Sequence, residues 1–265
     1  TLPFDHVFPE TERLAMCARF YDLHLRYYVL GLEYAGSGYA YHTIGSTLAV
    51  DASAYAKVRG FPRRQAGEDF YLLNKLAKVG GVHRLCGAPI QVQARLSDRV
   101  PFGTGPAIGR WTERVASGES MTLYDPRSFM ALSVWLRAMD AFAVHCDIDR
   151  YRCEIDVAGN MSVHDRAQVG ASLGFARALA TAAKSSGDAN VRRRHLRTWF
   201  DGFRTMKFVH AVRDQCWPDV PWQQAVCAAP FVPGEPLTLG QAHDAVHGAF
   251  AGLPAALLSP GCKVP

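Results

Sequence analysis

The sequence predicts an α/β segment followed by a mainly α-helical region, and three observations carry that prediction. Apolar residues recur at helical spacing in most of the long segments. Two stretches before residue 100, "HRLCG" and "APIQVQARL", read instead as strands, the second with Ile90, Val92 and Ala94 alternating with Gln91, Gln93 and Arg95. Beyond about Arg110 strand-like patterns cease and helical periodicity takes over. The expected division is therefore residues 1–110, α/β, and residues 111–265, helical.

In chain order, "TERLAMCARFYDLHLRYYVLG" places Leu14, Cys17, Ala18, Tyr21, Leu25 and Tyr28 on one face, with Thr11 as N-cap and Gly31 as the stop. "EYAGSGYAYHTIG" is loop-like. "STLAVD" reads as a short buried strand, and Asp51 can cap the small helix "ASAYAKVRG" that closes at Gly60. Pro62 and Gly67 then supply turns in a loop carrying Arg63 and Arg64. The helix after it buries Phe70, Leu73, Leu76 and Ala77, with Leu72 and Val79 widening the stripe, and ends at Gly80-Gly81. The two strands follow, then the loop "SDRVPFGTGP". The later helical segments are 125–145, 165–184 and 190–212, with "SSGDAN" as a linker. A proline-rich lead, a helix around "LGQAHDAVHGAFAG" and a frayed end complete the chain.

Over 265 residues, 49% hydrophobic and 20% charged content is ordinary for a chain that buries a core. A net charge of +5 suits a small anion or a membrane surface and is far from a nucleic-acid footprint, so nucleic acid is not an expected partner. The longest apolar stretch, "FMALSVWLRAMDAFAVHC", is interrupted by Arg137 and Asp140 and falls short of the ~18–20 apolar residues of a membrane span. Seven scattered cysteines without a CxxC pair predict reduced thiols and a cytoplasmic setting, with peripheral membrane contact as an extension of it.

Chemistry concentrates at Glu68-Asp69, two carboxylates opening a helix. Acids there satisfy free N–H groups and meet the helix dipole, worth roughly 0.3–1 kcal/mol. A carboxylate at the mouth of a cleft can instead take a proton from an attacking hydroxyl. The surrounding order of parts resembles the acceptor half of a glycosyltransferase family 2 domain of GT-A type. The matching parts are a small-residue strand (Gly45–Val50), a short helix (Asp51–Arg59), a "GGF"-like turn (Arg59-Gly60-Phe61) and the "ED" dipeptide. The resemblance implies that Asp69 is the general base of an inverting sugar transfer, with Glu68 shaping the site. It also implies that Arg95 and Arg99, in "ARLSDRVPFGTG", contact the donor diphosphate, a task that suits the planar arginine fork.

The same resemblance implies a nucleotide-sugar donor, and a glycan, lipid-linked or other hydroxyl acceptor. It implies too a divalent metal, Mg or Mn, held mainly by a nucleotide-binding half that this chain lacks. No DxD precedes Asp69; Asp147 and Asp149 have that spelling but read as a solvated turn. A fragment inactive without its N-terminal half is the expectation, and a non-catalytic glycan-binding or helical interaction module derived from such an enzyme is the alternative. His42 and Ser46 are candidate acceptor contacts, with Tyr39 and Tyr41 as possible sugar-facing rings. His243 and His247 have i, i+4 spacing without a third ligand and read as exposed helix histidines. "RRRHLR" at 192–197 reads as a solvated basic face.

Overall fold

The computed structural model describes residues 1–97, 101, 103–157, 161–185 and 187–258. Strand β1 (Phe4–Val7) leads into the long helix α1 (Glu12–Tyr34). A 3₁₀ turn (Gly45–Thr47) and helix α2 (Ala52–Lys57) precede α3 (Glu68–Val79), β2 (Val82–Arg84), β3 (Ile90–Gln93), α4 (Thr104–Ala116) and β4 (Thr122–Leu123). Six helices follow: α5 (Arg127–His145), α6 (Ile148–Val157), α7 (Val163–Leu173), α8 (Phe175–Ser185), α9 (Ala189–Trp199) and α10 (Gly202–Gln215). The chain closes with β5 (Val220–Pro221), α11 (Trp222–Ala228), α12 (Leu239–Ala251) and β6 (Ala256–Leu258). An α/β part followed by a helical part is thus present, and helix dominates.

Two compact units result. The first comprises Thr1–Leu30, Tyr41–Leu123 and Val220–Leu258; the second, among the described residues, comprises Gly31–Ala40 and Tyr124–Asp219. The expected break after residue 110 falls inside α4, whose buried Ile108 joins Cys17, Ala18 and Ala94 in the first unit's core.

In the first unit β1 pairs in parallel with β3, Phe4 opposite Ile90 and Val7 opposite Gln93. Strands β2 and β6 pair antiparallel, as do β4 and β5. Leu23, Phe20 and Tyr27 of α1 are fully buried, and so are Asp22 and Arg26 on the same helix. Helix α1 is therefore enclosed on more of its circumference than the single apolar stripe predicts. The expected strand at "STLAVD" does not form: the chain makes its 3₁₀ turn there, and Ser46 and Ala49 are exposed. Asp51 does cap α2, accepting a hydrogen bond from the Ala54 N–H. In α3, Leu72, Leu73, Leu76 and Ala77 are buried as the spacing predicts, whereas Val79 is exposed.

The second unit is built around α5, whose Trp135 packs against Phe175 and Phe208. Two expected long helices are each divided. A left-handed Gly174 (φ 75°) separates α7 from α8, and Asp201 stops α9 at Phe200 and caps α10. The "RRRHLR" segment is structural rather than a solvated face. Buried Arg192 donates to the Ala143 and Val144 carbonyls at the C-terminal end of α5, and Arg197 makes a two-pronged pair with Asp140.

Gly31 does not end α1, which continues to Tyr34. A methyl group there would lie 2.6 Å from the Phe129 ring, so glycine permits a close approach inside the second unit. Gly31→Ala is expected to lower stability despite a helix-propensity gain of up to about 1 kcal/mol, because overpacking costs about 1–3 kcal/mol. A lower urea midpoint with unchanged slope is the expected reading.

Candidate functional site

Asp69 is set by three local features. Gly67, left-handed at φ 71°, turns the chain into α3 without a side-chain cap, so Glu68 and Asp69 occupy the first helical turn. Lys75 of the same helix donates to the Val58 and Gly60 carbonyls at 2.8 and 3.1 Å, tying α3 to the Arg59-Gly60-Phe61 turn. That turn has two successive left-handed residues, Arg59 (φ 60°) and Gly60 (φ 61°), and leaves Phe61 exposed. A side chain at Gly60 would collide with the Tyr55 ring at 2.7 Å, so the turn requires glycine.

The Asp69 carboxylate accepts from the backbone N–H of Phe70 at 2.7 Å and from that of Gly45, joining α3 to the 3₁₀ turn. Burial raises its pKa, and the neighbouring Glu68 adds to the rise; the N–H groups of Phe70, Gly45 and Asp69 itself oppose it without cancelling it. A carboxylate serving only as a helix cap would be stabilised in its charged form and lowered instead.

Tyr21 of α1 lies within the electrostatic reach of Asp69. Its hydroxyl is hydrogen-bonded to the Thr104 side chain at the start of α4, and it lies in the fields of Asp22, Asp69 and the Arg110 cation. Burial, reinforced by the two carboxylates, raises the Tyr21 pKa, so the phenol stays protonated and remains a donor. The first turn of α4 is closed against the preceding strand exit, since a Cβ at Gly105 would meet the Ser97 backbone nitrogen at 2.7 Å. Asp69 is thus hydrogen-bonded to Gly45 and Tyr21 to Thr104 at the start of α4, and the Asp69 charge is felt at the Tyr21 hydroxyl. Sequence reasoning missed Tyr21 and Thr104, because their partners lie far away in the chain.

The other expected site residues divide. Glu68 is half-exposed beside Asp69. Ser46 is exposed in the 3₁₀ turn, next to Gly45. Arg95 is exposed two residues before Ser97, on the approach to α4, and Arg99 lies outside the described residues. Tyr39 and Tyr41 are buried and present no face to a sugar. His42 is buried too, its ring against Phe4 (5.0 Å) and Phe250 (4.6 Å) rather than beside Asp69.

His243 and His247 are not the exposed pair that their spacing suggests. His243 Nε2 is 2.8 Å from Asp22 Oδ2, and His247 Nε2 is 2.7 Å from Asp5 Oδ1. Asp22, 1% exposed, also takes His6 Nδ1 at 2.6 Å and the Arg26 Nε–H at 2.7 Å. Asp22 is thus a buried hub joining β1, α1 and α12. Burial disfavours its charge, but hydrogen bonds from His243 and His6 and the Arg26 cation outweigh that and hold it far below the usual carboxylate range.

His42 behaves oppositely. Burial, then the charge of Arg26, pushes its pKa down to about 3, and its Nε2 has no partner among the described residues. The folded chain then binds fewer protons than the unfolded one between about pH 3 and the ordinary histidine value near 6.5, so stability falls as pH drops through that window. By linkage the loss reaches up to roughly 5 kcal/mol at the acid end. His42→Phe keeps a ring between Phe4 and Phe250 and removes the titration. Acid unfolding followed by circular dichroism is expected to begin at lower pH in that variant.

Asp147 accepts from the Asp149 and Arg150 N–H groups in an exposed turn, the solvated turn expected in spite of its DxD spelling. Among the described residues no three His, Cys, Asp or Glu side chains converge as metal ligands would. The described cysteines are free thiols, and Cys262 lies outside the described residues. No described helix is long and apolar enough to cross a membrane. Comparison with protein-family models, curated proteins and solved structures finds no match to this chain.

Proposed function

We propose that this chain is the acceptor-binding, base-bearing part of an inverting glycosyltransferase of family 2, with a GT-A-type core, and that Asp69 is its general base. One observation carries the reading. Asp69 sits at a helix N-terminus, where carboxylates are ordinarily lowered, and yet burial and Glu68 raise its pKa. Raised proton affinity suits a group that must receive a proton, and perturbed carboxylates of this kind concentrate at functional sites.

In the proposed reaction the acceptor hydroxyl attacks the anomeric carbon of a nucleotide sugar from the face opposite the diphosphate. The new O–C bond forms as the C–O(phosphate) bond breaks; the hydroxyl proton passes to Asp69, and the electron pair leaves on the diphosphate. Arg95 and the first turn of α4 are suited to meet that leaving charge, through a guanidinium and through free N–H groups. Tyr21, held by Thr104, would orient the acceptor or the Asp69 carboxylate. Exposed Phe61, with Tyr55 behind its ring at 5.9 Å, offers an aromatic face for a glycan or lipid-linked acceptor. A bound Mg or Mn would screen the diphosphate, with ligands supplied from the nucleotide-binding half implied by the resemblance.

The test joins this chain to such a half and supplies a panel of nucleotide sugars, with NMR of the product anomer as the readout. An inverted linkage supports the reading. Glycan binding without turnover of any donor would leave a non-catalytic sugar-binding module in its place.

A further inference from the structure

We propose that the first unit holds a second binding site, distinct from the Asp69 group, for a small organic anion with a compact apolar body. A cavity of about 240 Å³ is walled chiefly by Phe4, Arg26, His42, Arg84, His247 and Phe250. It belongs to none of the groups assigned above to sugar transfer: Asp69, Tyr21, Thr104 and Arg95 are not in its wall. Its volume lies below the range of drug-sized pockets, which limits the occupant to one ring or a short chain.

Charge in the wall favours an anion. Arg26 and Arg84 are 2% and 5% exposed, so both guanidinium groups are withdrawn from bulk water, where an oxyanion gains most from them. Arg26 gives Nε to Asp22 and Nη2 to the Phe4 carbonyl, and no partner of its Nη1 is found among the described residues. Arg84 reaches the Pro254 carbonyl through Nε and Nη2 at 3.4 and 3.3 Å. The Asp5 carboxylate, also in the wall, is engaged by His247 at 2.7 Å and faces Arg26 at 3.6 Å. Burial, then the positive field of Arg26, opposes protonation of His42, so the imidazole adds no charge to this wall. The buried His42 Nε2, unpartnered among the described residues, adds an unused polar atom to the same wall. Phe4 and Phe250, at 4.5 and 5.7 Å from the Arg26 guanidinium carbon, supply the apolar surface for the ligand body.

The oxyanion head could be a carboxylate or a phosphate, and three probes of one shape separate these cases: benzoate, phenyl phosphate and benzyl alcohol. Titration calorimetry on the whole chain is expected to show millimolar or tighter binding of at least one anion, with the alcohol weaker by about tenfold or more. Whichever anion binds more tightly identifies the head group. Ala251, exposed at the end of α12 and on the cavity rim, can be enlarged without disturbing the core. Ala251→Phe is expected to abolish anion binding while thermal unfolding stays unchanged; Arg84→Met should weaken the anions and leave the alcohol as it was. Equal affinity for alcohol and anions, anion binding that survives Ala251→Phe, or no response to either anion at millimolar concentration would each overturn the proposal. Because the Ala251→Phe comparison reads binding alone, it stands or falls separately from sugar transfer.

Discussion

Asp69→Asn, in a protein completed with a nucleotide-binding half, is expected to reduce sugar transfer by about 10²–10⁴-fold, the usual contribution of a positioned general base. Folding stability should stay the same or rise slightly. The two expectations together separate the roles of this residue. Asn is nearly isosteric and keeps one acceptor oxygen, which can take the Phe70 N–H as Oδ1 does, so the first turn of α3 is retained. What disappears is a negative charge that the fold disfavours. A carboxyl whose pKa is raised on folding contributes its stabilisation below the unfolded value near 3.9 and loses it as pH rises through the folded value. At neutral pH the ionised Asp69 is therefore a cost, and removing its charge relieves that cost. A capping acid behaves the other way: its pKa is lowered, and its loss is felt as lost stability. If urea unfolding shows Asp69→Asn to be clearly destabilised while transfer persists, Asp69 is a cap and the catalytic assignment fails. The pH profile gives a second check. The acid limb of kcat/KM should lie above the ordinary carboxylate range in the parent enzyme and vanish in the variant.

Asp22→Asn should produce the largest stability loss of any single change in the first unit, about 3–5 kcal/mol, the cost of removing one partner from a buried ion pair. The buried Arg26 would lose its close counter-charge, leaving only the more distant Asp5, and one of the two oxygens that serve His6 on one side and Arg26 and His243 on the other would become an N–H₂ donor. Because Asp22 is held below the usual carboxylate range when folded, its contribution is complete above the unfolded value near 4 and is lost progressively as pH falls below it. The His42 window opens higher, near 6.5, so acid unfolding of the wild type should proceed in two overlapping stages. Asp22→Asn removes the lower one, and His42→Phe the upper. Guanidinium unfolding at pH 7 checks the main effect, and loss of cooperativity would indicate that α12 has detached from α1.

Much of the local structure was legible in the chain. The spacing of Leu73, Leu76 and Ala77 identifies α3, Asp51 declares its cap, and the Gly67–Asp69 junction marks a helix start; all three depend on neighbours within four residues. The "ED" pair was visible for the same reason. Misreadings arose where the deciding partner is distant. Gly31 resembles a helix stop, yet it is the point where Phe129 presses on α1. His243 and His247 have the spacing of exposed helix residues, but His243 is buried against Asp22, 221 residues away, and His247 is half-buried against Asp5. The tyrosines before His42 looked like sugar platforms and are core.

The sequence by itself determined the helical periods, the turn glycines and the presence of two acids at the start of α3, since backbone sterics and side-chain spacing act over a few residues. Only the tertiary structure decided what those acids experience. Burial of Asp69, with Glu68 beside it, raises one carboxyl, and His243, His6 and Arg26 gathered around Asp22 lower another. Proton affinity depends on desolvation and on charges a few ångströms away, and the fold assembles those from opposite ends of the chain.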